Sequence, residues 1–167
     1  MDALYNAHAT EVYAFAARRA SRSAAEDVVA ETFLIAWRRI DAVPEPAKPW
    51  LLAVARRVLA NQRRADGRRA ALTARIGMSE REGDTSAGRE RSDQPAVLAA
   101  LADLSPRDRD AITLIAWDGL GAEEAATVLG CSRATFYVRL HRAKKRLAEA
   151  LGNSDEHNND EQEAERS

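Results

Sequence analysis

The chain contains a single cysteine, Cys131. An internal disulfide is excluded, no thiol pair can anchor a metal, and the residue reads as a small buried hydrophobe rather than a redox sensor. His8, His141 and His157 are scattered, with no nucleophile or metal partner at useful spacing. That argues against an enzyme and against any metal or other cofactor. His141, on the last helical pattern, reads as a solvated residue or a phosphate neighbour. No apolar run approaches the roughly eighteen residues a membrane span needs, and the N-terminus lacks a charged-then-apolar leader, so a cytoplasmic protein is expected. Aromatic residues are scarce, at 5%.

What is present is helix-forming. Alanine and arginine dominate, both favour helix, and a hydrophobic share of 46% can fill real cores. The expected fold is all-α, as two small helical domains on a flexible linker. The net charge of −1 conceals segregation: residues 1–75 carry +5, 76–95 carry −2, 96–151 carry +1 and 152–167 carry −5. Local patches must therefore carry any nucleic-acid argument. Residues 76–95 are poor in apolar side chains and rich in Gly, Ser and charge, which predicts a linker. Residues 152–167 predict a disordered acidic tail, solvated or folded back on the basic faces.

In the first domain, residues 4–20 carry Leu4, Val12, Phe15 and Ala16 near one stripe. The next helix is expected to start with a Ser23/Glu26 capping box and to bury Val29, Phe33, Ala36, Trp37 and Ile40. Outside that stripe lie Glu26, Asp27, Glu31, Leu34, Ile35 and Arg38. The apolar pair beside carboxylates suggests a protein-binding face, with burial against the first helix as the alternative. Pro44, Pro46 and Pro49 force an irregular loop, whose restricted dihedrals suit a preformed pocket. Residues 50–64 predict a third helix with Leu51, Val54, Ala55, Val58 and Leu59 inward. Its flank, Arg56, Arg57, Asn61, Gln62, Arg63 and Arg64, suits a phosphate backbone and a few base edges. Trp50 reads as a core plug at the helix junction, and alternatively as a stacking platform for a base.

The second domain opens near Ala96, with Val97, Leu98, Leu101 and Leu104. Ser105-Pro106 caps a helix that Asp118-Gly119 ends. Residues 122–129 form a short helix stopped by Gly130, and Ser132 caps a long helix reaching about Leu151. A short helix, a tight glycine turn and a longer basic helix make a helix-turn-helix. Phe136, Leu140, Ala143, Leu147 and Leu151 are expected inward. Thr135, Val138, Arg139, Arg142, Lys145 and Arg146 face out, with Arg139 and Arg142 suited to guanine and Val138 to a thymine methyl. A merely solvated charged face is the alternative, in a helical adaptor that binds no DNA. An operator-binding dimeric regulator with an N-terminal helical domain is the other reading of these residues.

The stretches AEDVVAETFLIAWRRI, PWLLAVARRVLANQRR and LSPRDRDAITLIAWDGLGAEEAATVLGCSRATFYVRLHRAKKRL together resemble the extracytoplasmic-function (ECF) sigma factors of the sigma-70 family, from about Leu4 to Leu151. The resemblance implies a region 2 over residues 1–75 and a region 4 over 96–151. It implies that Glu26, Asp27, Glu31, Leu34, Ile35 and Arg38 meet the clamp helices of core RNA polymerase. Trp50, Arg56, Arg57, Asn61, Arg63 and Arg64 would serve melting and capture of the −10 element. The final helix would enter the major groove of the −35 element, using Ser132, Arg133, Thr135, Tyr137, Val138, Arg139, Arg142, Lys145 and Arg146. The linker would run through the polymerase, whose flap is a further contact, and an anti-sigma protein would hold the chain inactive. Two departures from the family pattern are visible: Arg57 where asparagine is frequent, and Tyr137-Val138 where polar base readers are common.

Overall fold

The structure, a computed structural model, describes residues 2–76 and 94–164, with side chains over 2–71 and 96–152. The described residues form seven α-helices and a 3-10 turn, without a strand. They divide into two compact units, Met1–Ala87 and Gly88–Ser167. Most of the expected linker, residues 77–93, lies outside the described residues, while Ile76 and Gln94 belong to helices.

The first unit is three helices: α1 (Asp2–Ala17), α2 (Arg22–Arg38) and α3 (Ala47–Ile76), with the 3-10 turn Ile40–Ala42 before α3. Its core is Val12 and Phe15 of α1, Ala25, Val28, Val29, Phe33 and Ala36 of α2, and Leu51, Leu52, Ala55, Val58 and Leu59 of α3. The cap of α2 is Ser21 rather than Ser23: the Ala24 N–H donates to Ser21 Oγ at 3.5 Å and the Ala25 N–H to Ser21 O at 2.9 Å. The fully buried Ala25 must sit in helical register with Val28 and Val29, which sets the start two residues earlier. Glu26, freed from a capping role, pairs with Arg22 at 3.3 Å.

Trp37 and Ile40 do not join the core; they are 62% and 43% exposed, and α2 has ended by Ile40. At about 100° per residue, Trp37 falls roughly 40° beyond Phe33, past the edge of the buried arc that Ala25, Val28 and Thr32 recentre. The third helix exceeds its expected span at both ends. It starts at Ala47, because Pro49 sits in the first turn, where no donor is lost.

The second unit comprises α4 (Gln94–Asp103), α5 (Pro106–Ala116), α6 (Ala122–Leu129) and α7 (Arg133–Ala164). Leu101 and Leu104 are buried, but Val97 and Leu98 are 37% and 44% exposed, so the core begins one turn later than the pattern suggests. Ser105 Oγ accepts the Asp108 N–H at 3.2 Å, which fixes the start of α5. The Arg109 guanidinium donates to the carbonyls of Leu101 at 2.7 Å, Leu104 at 3.2 Å and Ala102, capping α4 with one side chain. Gly119 and Gly130 adopt left-handed φ values of 65° and 64°, ending the turns before α6 and α7. Gly152 does not adopt that conformation, and no proline follows it. Accordingly α7 continues to Ala164 through the segment expected to be disordered.

Candidate nucleic-acid interface

The α6–Gly130–α7 corner is built by short-range chemistry. The Gly130 N–H reaches Thr127 O at 3.1 Å and the Cys131 N–H reaches Ala126 O at 3.0 Å, while Ser132 Oγ accepts the Thr135 N–H at 3.1 Å. Phe136 and Ala143 are fully buried, and Leu140, Leu147 and Leu151 half-buried, so the back of α7 is the expected one. The front presents Thr135, Tyr137, Val138, Arg142 and Lys145 to solvent, with Arg139 half-buried at its flank. His141 and Lys144 are also exposed, and His141 lies between Val138 and Lys145 on the same strip. The three-and-four spacing 138, 141, 145 was the available signal for it. From Thr135 to Arg142 the helix rises about 10 Å, close to the width of a B-DNA major groove.

Three cations of this helix have partners: Lys145 lies 3.9 Å from Glu149 one turn on, and the other two are Arg146 and Arg133. Arg146 pairs with the buried Asp108, tying α7 to the first turn of α5. Arg133 donates to the Tyr137 hydroxyl at 3.4 Å with its guanidinium carbon 5.5 Å from the ring centroid, a contact that holds the arginine pKa above its ordinary value. Arg139 and Arg142 make no hydrogen bond or ion pair with described residues.

In the first unit, a groove of about 360 Å³ opens between α2 and α3. Glu31, Ile35, Arg38 and Arg39 line it from the α2 side, and Trp50, Val54, Arg57, Val58 and Asn61 from α3. Trp50 is half-buried, so it is both a wall of the junction and a surface open to the groove. The expected proline-loop pocket is displaced: the connection after α2 supplies only Arg39, which the sequence reading had passed over. Three guanidiniums face one carboxylate around an indole, a chemistry that accepts an anionic backbone carrying a planar base.

Arg56, Arg63 and Arg64 do not line the groove. Arg63 donates to Arg19 O at 2.7 Å, closing the end of α1, and Arg64 folds onto its own helix at Ala60 O (3.2 Å) and Asn61 Oδ1 (3.0 Å). Arg19 in turn lies 3.8 Å over the Phe15 ring. Across the unit, Lys48 in the first turn of α3 meets Glu11 of α1 at 2.7 Å, and His8 Nδ1 meets the other Glu11 oxygen at 2.8 Å. Burial pushes Glu11 up, but the hydrogen bonds from His8 and Lys48 and the Lys48 charge outweigh it, holding the carboxyl below its ordinary value. This pins the start of α3 and with it Trp50.

The outward side of α2 carries Asp27, Leu34 and Arg38, with Leu34 41% exposed rather than buried against α1. Ile35 is half-buried, and it turns toward α3. The sequence reading missed Trp37, which extends this apolar surface beside Leu34.

Residues 4–69 match the family model of sigma-70 region 2, and residues 95–147 that of sigma-70, region 4. The ECF RNA polymerase sigma factor SigL of Mycobacterium tuberculosis is 33% identical over 156 residues, spanning 88% of this chain and 86% of the relative. The chain is an ECF sigma factor of the sigma-70 family. SigC of the same species, another ECF sigma factor, is 34% identical over 88% of this chain and 80% of its own length. Among solved structures, the sigma factor RpoE in complex with the anti-sigma factor NepR from Bartonella quintana superposes with a TM-score of 0.69 at 30% identity, covering 90% of this chain and 96% of that one. A sigma factor binds core RNA polymerase and directs initiation at chosen promoters, so the free-standing operator-binding regulator and the DNA-free adaptor are set aside. No helix among the described residues is long and apolar enough to cross a membrane.

Proposed function

We propose that this ECF sigma factor divides its work among three surfaces. The outward side of α2, with Asp27, Leu34 and Trp37, docks on the clamp helices of core polymerase, and Glu31 and Arg38 stand on the border between that side and the groove. The α2–α3 groove receives the opened −10 strand, with Trp50 offering a stacking face, Arg57 a phosphate or base contact and Asn61 an amide. The front of α7 enters the −35 major groove: Thr135, Tyr137, Val138, Arg139 and Arg142 meet base edges, and Lys145 meets the backbone. Ser132 and Arg133 hold the first turn of that helix, and Arg146 acts mainly through Asp108. Arg63 and Arg64 contribute more to the fold than to DNA. Residues 76–95 tether the two domains.

The observation that carries this reading is the convergence of Trp50, Arg57 and Asn61 with three further polar or cationic side chains in one groove. Melting costs a few kcal/mol per base step unstacked, and a groove able to hold an extruded base offsets that cost. Bond making and breaking stay with the polymerase, so the chain acts by binding energy and choice of sequence and works at the nucleoid of the cytoplasm. The sigma–anti-sigma complex among its structural neighbours supports control by an anti-sigma protein.

Run-off transcription with core polymerase, with and without the chain, over a genomic promoter library tests the function itself. For the groove, Arg57→Glu is expected to lower open-complex formation on duplex promoter about tenfold or more, and to do so much less on a template pre-melted over −10. Equal losses on both templates would remove the groove from melting.

A further inference from the structure

The front of α7 contains a chemical mismatch with its cationic surroundings. Tyr137 and Val138 are 47% and 53% exposed and about 100° apart around the helix: Val138 lies among Thr135, His141 and Arg142, and Tyr137 beside Arg133 and His141. Neither is loose. The Tyr137 ring is braced by Arg133, which hydrogen-bonds its hydroxyl at 3.4 Å, and by the buried Phe136 ring at 6.4 Å and 61°. Val138 is β-branched, so its χ1 is fixed within the helix. Preorganised apolar side chains lose little entropy when they are covered, which favours a specific partner over general solvation.

An apolar surface pressed into a DNA major groove can find one apolar group there. Base edges in that groove carry hydrogen-bond donors and acceptors, except for the 5-methyl of thymine. Guanidiniums on either side supply the attraction to phosphate and to guanine that brings the helix in. The Tyr137 hydroxyl, already accepting from Arg133, keeps its own hydrogen to donate to an acceptor such as thymine O4.

We propose that Tyr137 and Val138 are specificity-determining residues that select thymine in the −35 element through its 5-methyl group, with Arg133 as the positioning residue for the tyrosine ring. This rests on the −35 reading of α7 given above. It converts the two positions that depart most from a polar reading helix into the source of a distinct base preference. Each methyl contact corresponds to about 0.8 kcal/mol, or about fourfold in affinity.

The test uses the full chain assembled with core RNA polymerase and two duplex libraries randomised over the −35 segment. One library is made with thymine and the other with uracil, which differs only by the missing methyl. Selection from the thymine library is expected to fix thymine at one or two positions, with about fourfold preference per methyl. The uracil library is expected to lose that preference while keeping guanine at positions facing Arg139 or Arg142. Val138→Ser should abolish the thymine–uracil difference at one position and Tyr137→Ala at the other. Arg133→Ala should weaken only the position assigned to Tyr137, whereas a general defect of α7 would flatten every position. Equal selection from both libraries, or none of thymine, overturns the proposal and leaves α7 as a reader by other contacts. If neither library yields any preference in this segment, the −35 reading falls with it.

Discussion

In the first unit, arginines near the candidate DNA surface are largely drawn into the fold: Arg63 closes α1, Arg64 folds on its own helix and Arg19 covers Phe15. In the second, Arg109 and Arg146 serve the fold in the same way, whereas Arg139 and Arg142 keep their guanidiniums for other partners. The two units carry similar cationic sequences and spend them differently. Arg19, Arg63 and Arg109 sit where a helix ends, because unpaired terminal carbonyls are acceptors a long cation can reach; Arg146 sits where α5 meets α7, and Arg64 bonds its own helix in mid-span. Counting cations therefore overstates a DNA surface, and position relative to helix ends corrects the count.

Matched deletions probe both cores most strongly. Phe15 and Phe136 are each fully buried, and replacing either by Ala should cost about 3–5 kcal/mol through the lost transfer energy and the cavity left behind. Urea denaturation reads the stability. Phe136→Ala should also remove dependence on the −35 sequence, whereas Phe15→Ala should remove core-polymerase binding; interchanged phenotypes would break the division between units. Asp108→Ala is the next largest. It leaves Arg146 without its partner, but that guanidinium is more than half exposed, so about 1 kcal/mol is expected rather than the full cost of breaking a buried pair.

Within the first unit, Arg63→Ala and Arg57→Ala sharpen the contrast further. The former should lose no more than about 1 kcal/mol of stability, for one exposed hydrogen bond to a carbonyl, with the duplex-to-pre-melted transcription ratio unchanged. The latter should leave stability unchanged and shift that ratio. The smallest effect concerns Glu11. Its carboxyl is held below its ordinary value in the folded chain, so its contribution is present above the unfolded carboxylate pKa and is lost as pH falls through the folded one. Unfolding free energies of the wild type and Glu11→Gln from urea titrations should differ by under about 1 kcal/mol near neutrality and converge in that acidic window, since the pair is partly exposed.

Much of this architecture was legible because the deciding chemistry is short-range. Ser105 before Pro106, Gly130 before Ser132 and the Phe136–Ala143 spacing each specify a boundary or a buried face within a few residues. The groove was not legible, since its walls come from residues 31–39 and 50–61 and meet only when α2 packs on α3. The same holds for Arg63 on Arg19, 44 residues apart, and for Arg146 on Asp108, 38 apart. The start of α2 was misread because Ser21 and Ser23 are both competent caps, and only the burial of Ala25 chooses between them. Trp37 was misplaced because the stripe that included it omitted Ala25, Val28 and Thr32.

The helix α7 is gripped from behind by Phe136 and Ala143 and at one flank by the Asp108 carboxylate on Arg146, while Ala134, Val138, His141 and Lys145 point away from the core. Anchorage and vocabulary are thus written on opposite sides of one cylinder. New promoter words can be tried by exchanging a handful of outward letters without disturbing the grip, and a scaffold of this kind lends itself to retargeting.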